Sequence, residues 1–179
     1  MSESESVEVA LPTPPEALLA RLEELGIEAR TVTHPPVFTV EEAKALRGEL
    51  PGSHIKNLFL RNKKGRMWLV TCLEDREVDL KALGQRLEAG RFSFGSAERL
   101  MTYLGVLPGS VTPFAVINDT EKQVTMVLDT GVMDAGPVNC HPLVNTMTTA
   151  VSPEDLIRFL EAEGHPPQML DMGTGATGA

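Results

Sequence analysis

Two apolar segments joined by a short polar turn constrain the fold of this 179-residue chain more than any other feature of its sequence. The first segment spans residues 52–61, the second spans residues 67–73, and the turn between them reads Asn62-Lys63-Lys64-Gly65. Glycine readily adopts the left-handed backbone conformation that short connections between antiparallel strands require. The sequence therefore predicts a β-hairpin over residues 52–73.

Lys56 lies in the interior of the first of these strands. Because side chains alternate along a strand, one face would carry His54, Lys56, Leu58 and Leu60, and the other Ile55, Asn57, Phe59 and Arg61. An ammonium that shares a face with leucines is costly to desolvate unless an anionic group meets it. Two interpretations stay open: Lys56 binds a negatively charged or oxygen-rich ligand, or it lies on an exposed sheet edge, where lysine discourages pairing with other chains.

Apolar spacing and capping residues predict the remaining elements. Helices are expected at residues 14–25, 39–48, 79–87, 96–104 and 152–160, and strands at residues 28–33, 113–117, 123–128 and 146–151. Because no regular strand-helix repeat is present, we predict an α/β fold of the α+β type, with a mixed, largely antiparallel β-sheet flanked by helices. We expect a single domain over residues 14–170, a disordered tail over residues 1–13 and a flexible tail over residues 171–179.

The charge of the chain is acidic but unevenly distributed. The formal charge of -9 argues against a broad basic surface for nucleic acid, and no DNA partner is expected. Residues 1–28 carry seven acids and one base, so the remaining 18 acids and 15 bases leave a balance of only -3. A local basic turn formed by Arg61, Lys63, Lys64 and Arg66 fits either a phosphate contact or an ordinary solvated hairpin tip.

The apolar runs and the cysteines indicate the compartment. No apolar run approaches the ~20 residues that cross a bilayer, and the acidic N-terminal residues do not resemble a secretory signal. We therefore expect a cytoplasmic protein without a membrane partner. Cys72 and Cys140 are isolated in the sequence, and we interpret both as small apolar residues of the core.

Three segments contain residues without an obvious role in the core, namely Gly48 to Lys56, Gly109 to Pro113 and Asn139 to Thr148. In the segment Gly109-Ser110-Val111-Thr112-Pro113, expected to lead into a strand, the glycine permits close backbone approach and the proline fixes a backbone angle. Such a segment can present amide groups to a ligand or can simply connect two elements. His141 precedes a proline that holds it extended, so it either positions a substrate or hydrogen-bonds the backbone. His34 is expected to be structural, and His165 is given no role.

The sequence lacks the motifs of demanding hydrolytic chemistry. It has no Gly-x-Ser-x-Gly elbow, no phosphate loop ending in Gly-Lys-Ser or Gly-Lys-Thr, and no His-Glu-x-x-His. No pair of histidines or cysteines has the close spacing of zinc ligands, so we expect neither a metal nor a cofactor. An enzyme with this sequence would cleave an already activated bond such as an ester, using positioned water and the charge of Lys56 to stabilise an oxyanion.

Several motifs carry a resemblance to a known family. They are Gly52-x-x-x-Lys56-Asn57-Leu58-Phe59-Leu60, Trp68-Leu69-Val70, Phe92-x-Phe94-x-Ser96-x-Glu98-x-Leu100, Leu104-Gly105-x-x-Pro108 with the Gly109-to-Pro113 segment and Phe114, and His141-Pro142-Leu143-x-Asn145-Thr146-x-Thr148. Over roughly residues 30–160 the chain resembles the YbaK/ProX family, relatives of the editing domain inserted in bacterial prolyl-tRNA synthetases. Within that family it most resembles the free-standing alanyl-tRNA(Pro) deacylases.

The resemblance implies a function and assigns roles to the candidate residues. It implies a trans-editing deacylase that hydrolyses Ala-tRNA(Pro), with Lys56 as the catalytic residue and Asn57 anchoring the substrate. The Gly109-to-Pro113 segment would then form the sieve that admits a methyl group and refuses the proline ring, and His141 would line the pocket. Because Lys56 and Asn57 have opposite strand parity, both can reach one site only if a bulge or bend redirects one of them, or if the pocket wraps the strand end.

Alternatives and partners follow from the same resemblance. A Cys-tRNA(Pro) deacylase of the same fold, or a non-catalytic module that binds tRNA or a synthetase, remains open. The expected partner is the acceptor end of an aminoacyl-tRNA. Since an acidic protein binds RNA weakly by itself, prolyl-tRNA synthetase or an elongation factor is a further candidate that would deliver the substrate.

Overall fold

The computed structural model describes residues 10–36, 50–134 and 136–173. The α-helices are α1 (Pro15–Glu24), α2 (Leu80–Arg86), α3 (Ala97–Leu104) and α4 (Pro153–Ala162), and the strands are β1 (Arg30–Thr33), β2 (Ser53–Arg61), β3 (Met67–Leu73), β4 (Ser93–Phe94), β5 (Val124–Asp129), β6 (Val138–Cys140), β7 (Met147–Val151) and β8 (Gln168–Leu170). Short 3-10 helices span Pro108–Ser110, Pro113–Asn118 and Thr130–Asp134. The helix predicted at residues 39–48 lies outside the described residues, as do residues 1–9 and 174–179.

The described strands form one mixed sheet, and β2 lies at its centre. Their order is β1-β7-β6-β2-β3-β5-β8, and β4 pairs with the end of β2. The pairs β1–β7, β6–β7, β2–β3 and β2–β4 are antiparallel, whereas β2–β6, β3–β5 and β5–β8 are parallel. The predicted α+β class with a mixed, largely antiparallel sheet is therefore confirmed.

The elements with strong local signals form where the sequence predicts them. Gly65 closes the β2–β3 turn with a φ of 85°, a left-handed conformation that glycine adopts without the clash of a Cβ atom. The side chain of Asp79 caps α2, that of Ser96 caps α3, and that of Ser152 caps α4. Each cap satisfies backbone N–H groups that have no partner within the helix.

The strand predicted at residues 113–117 is wrong. These residues belong to the 3-10 helix Pro113–Asn118, in which Thr112 accepts a hydrogen bond from the backbone N–H of Phe114 and Pro113 occupies the first position. Phe114, Ala115 and Val116 are all buried, so the run shows no helical periodicity in its apolar residues. A short run in which every residue is apolar is equally consistent with a buried strand and a buried helix. The short strands β4, β6 and β8 were not predicted.

Apolar side chains pack against both faces of the β2–β3 hairpin. Phe59 and Leu69 belong to the larger cluster, which includes α1, α3, α4 and the 3-10 helix Pro113–Asn118. Leu60 and Trp68, one residue away on each strand, belong to a second cluster on the opposite face. The alternation predicted for β2 thus divides the core into two layers.

Packed residues occur near both ends of the described part of the chain. Thr13 donates a hydrogen bond to Asn118 over 2.5 Å. Met172 is 1 % exposed and packs in the second cluster, so packed residues extend past the predicted boundary at residue 170. Both free cysteines are buried. Of the helices in the described ranges, none has the length and apolar character that a membrane span needs.

Candidate active site

Asn57 is fixed by two hydrogen bonds from its side-chain amide. Its Nδ2 donates to the carbonyl oxygen of Val111 over 3.1 Å, and its Oδ1 accepts from the Thr71 hydroxyl over 2.5 Å. Thr71 lies directly opposite Asn57 on β3 and is fully buried. Because Thr71 orients one end of the amide, the other end is directed at the 109–113 segment. Asn57 therefore ties the central strand to that segment.

The Gly109-to-Pro113 segment is a short 3-10 turn followed by two extended residues, Val111 and Thr112. Its first part lies in Pro108–Ser110, and Val111 is extended with φ -62° and ψ 134°. Ser110, Thr112 and Pro113 are buried, whereas Gly109 is exposed and Val111 is half-buried. The expectation that this segment leads into a strand is wrong, because it leads into the 3-10 helix that begins at Pro113. The Val111 carbonyl is still held on the Asn57 face of the sheet.

The 109–113 segment lies beside the turn that connects β6 with β7. A Cβ atom placed on Gly109 would lie 3.3 Å from Nδ2 of Asn145. A groove of about 590 Å³ separates this part of the turn from the first described residues of the chain. Its lining comprises Ala10, Leu11, Pro14, Pro15, Leu107, Ser110, Leu143, Val144, Asn145 and Thr146. The structure thus brings two of the predicted loops to one place.

His141 begins the same turn and is held in one tautomer. Its Nδ1 lies 3.0 Å from the carbonyl oxygen of Met147, and since a carbonyl only accepts, Nδ1 carries the proton. Burial lowers the pKa of His141 below 6.5, partly opposed by the Met147 bond, and the nearby His34 lowers the pKa further. The imidazole is therefore neutral at pH 7. Its Nε2 then carries a lone pair that can accept a hydrogen bond.

His34 is structural in this arrangement, as the sequence predicts. Its ring centroid lies 6.4 Å from that of His141. Its Nε2 is 2.8 Å from the Thr148 hydroxyl, and its Nδ1 is 2.8 Å from the carbonyl oxygen of Pro35. The bond to Thr148 holds the residue after β1 against β7.

Lys56 points to the face of the sheet opposite Asn57. Its ammonium is half-buried and donates a hydrogen bond to the carbonyl oxygen of Arg76. The β2–β3 register is continuous through Lys56, Asn57 and their partners, so no bulge redirects either side chain. As the alternation along the strand predicts, Lys56 and Asn57 thus point to opposite faces of the sheet. Lys56 does not share the groove beside the 109–113 segment.

Arg76 is held in turn by a buried carboxylate. Its Nε lies 2.9 Å from Oδ2 of Asp129, which is fully buried. Asp129 also accepts hydrogen bonds from the backbone N–H groups of Leu73 at 3.2 Å, Gly131 at 3.0 Å and Met172 at 3.4 Å. Burial, the largest single influence, raises the pKa of Asp129, but the Arg76 guanidinium and these N–H groups together hold it below 3.8. Asp129 therefore stays ionised and anchors the turn that presents the Arg76 carbonyl to Lys56.

The cysteine opposite Lys56 is a neutral thiol. Cys72 faces Lys56 across the β2–β3 pair. Burial raises the pKa of the Cys72 thiol to about 11, although Lys56 lowers it. Burial likewise raises the pKa of Cys140. Both side chains pack as the small apolar groups that the sequence predicts.

The edge of β2 that faces away from β3 is paired only at its two ends. Ser53 and His54 pair with β6, and Leu60 and Arg61 pair with β4. Within the described ranges, residues 55–58 have no partner strand on that edge. Asn57 lies on one face of the sheet beside this open edge, and Lys56 lies on the other.

Sequence reasoning missed several residues that shape the site. Thr71 bonds to Asn57, and Arg76, which is held by Asp129, bonds to Lys56, yet none of these three was predicted to shape the site. Only Asp129 carries a local signal, since Asp129-Thr130-Gly131 at a strand end is typical of a turn. Within the described ranges, no three His, Cys, Asp or Glu side chains are grouped so that they could hold a metal ion.

Comparison with known proteins identifies a family and several relatives. Residues 34–159 match the family model described as "Aminoacyl-tRNA editing domain". The chain is 42% identical over 151 residues to "Prolyl-tRNA synthetase associated domain-containing protein 1" of Danio rerio, covering 83% of this chain and 82% of that protein. It is 36% identical over 158 residues to "Prolyl-tRNA editing protein ProX" of Acetoanaerobium sticklandii, covering 88% and 96%.

A solved structure shares the fold at low sequence identity. It is described as a candidate trans-editing enzyme for prolyl tRNA synthetase, and it superposes with a TM-score of 0.69 at 20% identity, covering 89% of this chain and 97% of that one. At this identity the likeness concerns the fold alone.

Proposed function

This chain belongs to the YbaK/ProX family of aminoacyl-tRNA editing domains and is an aminoacyl-tRNA deacylase, and we propose that it acts in trans on tRNA(Pro) mischarged with alanine. Two names support the choice of tRNA, since one relative is a prolyl-tRNA editing protein and another is a prolyl-tRNA synthetase associated protein. In the reaction, water adds to the ester carbonyl, the bond to the terminal ribose oxygen breaks, and that oxygen takes up a proton.

The hydrogen bond between Asn57 and the Val111 carbonyl is the observation that carries this proposal. It places the 109–113 segment against the central strand at the point where the strand edge is open. A pocket built for proline cannot exclude alanine by size, because each missing methylene changes binding by only ~1–3 kcal/mol. A second pocket must therefore admit the methyl group and exclude the five-membered ring. The 109–113 segment, with a glycine and two small buried hydroxyl residues, is our candidate for that boundary.

We assign the neutral His141 a binding role at the start of the β6–β7 turn, although it is not among the residues that line the 590 Å³ groove. Its Nδ1 donates to Met147, and no described residue hydrogen-bonds to its Nε2, so this nitrogen can accept a hydrogen bond from the substrate ammonium, a ribose hydroxyl or the attacking water. These groups are all donors, which matches the acceptor that the tautomer leaves available. A cationic His141 would lose that ability.

We assign Lys56 the catalytic role of meeting negative charge on the substrate. Its ammonium already bonds to an oxygen, the Arg76 carbonyl, and a lysine side chain has enough rotatable bonds to exchange one oxygen for another. On binding along the open edge of β2, a phosphate, ribose or ester oxygen of the RNA terminus would replace that carbonyl. Lys56 and Asn57 could then bind the same substrate from opposite faces of the sheet, so β2 would need no bulge.

We also propose that a partner protein delivers the aminoacyl-tRNA to this chain. The net charge of -9 disfavours strong binding of free tRNA by the whole surface. Prolyl-tRNA synthetase or an elongation factor that already holds the aminoacyl-tRNA would raise its local concentration. A tight complex with free tRNA that is insensitive to salt would contradict this part.

The test is hydrolysis of a matched panel of aminoacyl-tRNAs. Purified protein is incubated with Ala-tRNA(Pro), Cys-tRNA(Pro) and Pro-tRNA(Pro), and the remaining ester is measured over time. We expect rapid loss of the alanyl ester and an intact prolyl ester. Selective loss of the cysteinyl ester would reassign the substrate within the same fold, and three intact esters at high protein concentration would refute the proposal.

The Lys56→Ala variant separates catalysis from binding. We expect it to retain binding of Ala-tRNA(Pro) while hydrolysis falls by at least 100-fold, since a group that stabilises developing charge contributes a factor of about 10²–10³. Lys81→Ala is the matched control, because Lys81 is an exposed lysine outside the site. Unchanged hydrolysis by Lys56→Ala would remove Lys56 from the mechanism.

A further inference from the structure

The β2–β3 turn carries the most concentrated positive charge in the described chain. Residues 61–73 contain four cations and no acid, and Lys63, Lys64 and Arg66 are exposed. Among the described residues, no carboxylate lies within ion-pair distance of any of these four side chains. The described part of the chain therefore provides no carboxylate that competes with an external anion for these cations.

A second segment adds to the same surface. In β4, Ser93 pairs with Arg61 and Phe94 pairs with Leu60, so β4 lies alongside the end of β2 that enters the turn. Arg91, just before β4, is exposed, and the Phe94 ring is 61% exposed. Residues 90–97 contain no acid. We call Arg61, Lys63, Lys64, Arg66 and Arg91 together the basic hairpin surface.

A buried asparagine holds the two segments in one frame. Asn62 is only 7% exposed, and its Oδ1 accepts from the backbone N–H groups of Lys64 at 3.1 Å and Arg66 at 2.9 Å. Its Nδ2 donates to the carbonyl oxygen of Ala89 at 2.9 Å, two residues before Arg91. An ordinary solvated turn needs no such link to a neighbouring segment. Here the link fixes the backbone positions of cations from two parts of the chain relative to each other, as repeated binding of a rigid polyanion requires.

We propose that the basic hairpin surface binds phosphates in the double-helical arm of the tRNA substrate. This inference rests on the proposed function, since it names the part of that substrate the surface contacts. Without its five cations the chain would carry a charge of -14, that is -9 minus 5, so an RNA is attracted chiefly here. Arg61, at the end of β2, follows Lys56 by five residues, which corresponds to about 17 Å at ~3.3 Å per residue along the strand, and the cations of the turn come after it. That separation suits a phosphate well beyond the terminal nucleotide.

The test compares a long and a short substrate as salt is varied. The triple variant Lys63→Ser, Lys64→Ser, Arg66→Ser keeps Asn62 and Gly65, so the turn backbone is retained. With full-length Ala-tRNA(Pro) at low salt, we expect kcat/KM to fall about 10-fold or more through KM, with kcat nearly unchanged. The slope of log kcat/KM against log salt should become less negative by about 2, since each lost phosphate contact removes ~0.7–0.9. Hydrolysis of alanyl-adenosine should be unaffected.

Matched variants make the outcome decisive. Lys63→Arg, Lys64→Arg should keep the wild-type salt slope, and so should Arg30→Ser, which removes an exposed cation from the edge strand β1. An unchanged slope in the triple variant, or an equal loss on both substrates, would overturn the inference. If the wild-type protein hydrolyses neither substrate, the proposed function fails instead. In that case, the binding of uncharged tRNA by the wild type and by the same variants tests the RNA-binding role of the basic hairpin surface independently. Equal affinities of the wild type and the triple variant would overturn that role.

Discussion

The fixed amide of Asn57 makes a prediction at the scale of a single residue. Asn57→Ala leaves the Val111 carbonyl and the Thr71 hydroxyl without partners, and each unsatisfied buried group costs about 1–3 kcal/mol. We expect the free energy of unfolding to fall by about 2 kcal/mol and kcat/KM for Ala-tRNA(Pro) to fall at least 10-fold. Urea unfolding and deacylation measure the two effects. The control Thr71→Val removes only the donor to Oδ1 and should retain most activity; equal activity of Asn57→Ala and wild type would exclude a positioning role for Asn57.

The lowered pKa of His141 predicts how stability depends on pH. Below pH 6.5 an unfolded histidine binds a proton, whereas the folded His141 stays neutral until its own lower pKa is reached. The unfolded state therefore binds more protons in this window, and stability falls as pH decreases through it. We expect His141→Asn, which keeps a donor for Met147, to lose part of this slope between pH 6.5 and 5. Urea midpoints across this range measure it, and identical slopes in both proteins would contradict the assignment.

At the scale of an element, Asp129 organises the turn after β3. It holds the Arg76 side chain and the Leu73 N–H, and the Arg76 carbonyl in turn holds Lys56. Removing one partner of a buried ion pair leaves the other uncompensated, which costs on the order of 3 kcal/mol. We expect Asp129→Asn to lose stability by about that amount and to lower kcat more than binding, because Lys56 loses its support. Arg76→Lys keeps the charge, so it should lose less stability in denaturation and less activity in single-turnover assays. If Asp129→Asn kept the wild-type kcat, Asp129 would have no role in supporting Lys56.

The elements also show which parts of the structure can be predicted from sequence. The β2–β3 hairpin and the capped helices α2, α3 and α4 were predicted because their signals are local: a glycine in a turn, and Asp or Ser at a helix start. The opposite faces of Lys56 and Asn57 followed from the pleat alone. The Arg76–Asp129 pair joins residues 53 positions apart, and no local pattern specifies such a partner. The 3-10 helix Pro113–Asn118 was missed because burial on all sides removes periodicity.

At the scale of the whole molecule, a buried pair links the C-terminal part of the chain to the centre of the sequence. His165, to which the sequence analysis gave no role, is 4% exposed, and its Nε2 lies 2.8 Å from Oδ2 of Asp119. Asp119 also accepts from the backbone N–H groups of Gln123 and Val124, at the start of β5. The pair therefore joins the segment after α4 to the turn that leads into β5. None of the side-chain hydrogen bonds of this pair to other described residues involves Asn57, His141 or the 109–113 segment.

This arrangement predicts a variant that separates stability from activity. His165→Leu leaves the buried Asp119 without its side-chain partner, and a buried polar group that loses its hydrogen-bond partner costs about 1–3 kcal/mol. We expect a large decrease in the urea midpoint. Below the unfolding transition, kcat/KM for Ala-tRNA(Pro) should stay within about twofold of wild type, since none of the proposed site residues contacts His165. The variant His165→Gln, which can still donate to Asp119, should recover part of the stability. A selective loss of kcat in folded His165→Leu would instead show that the C-terminal segment contributes to the site.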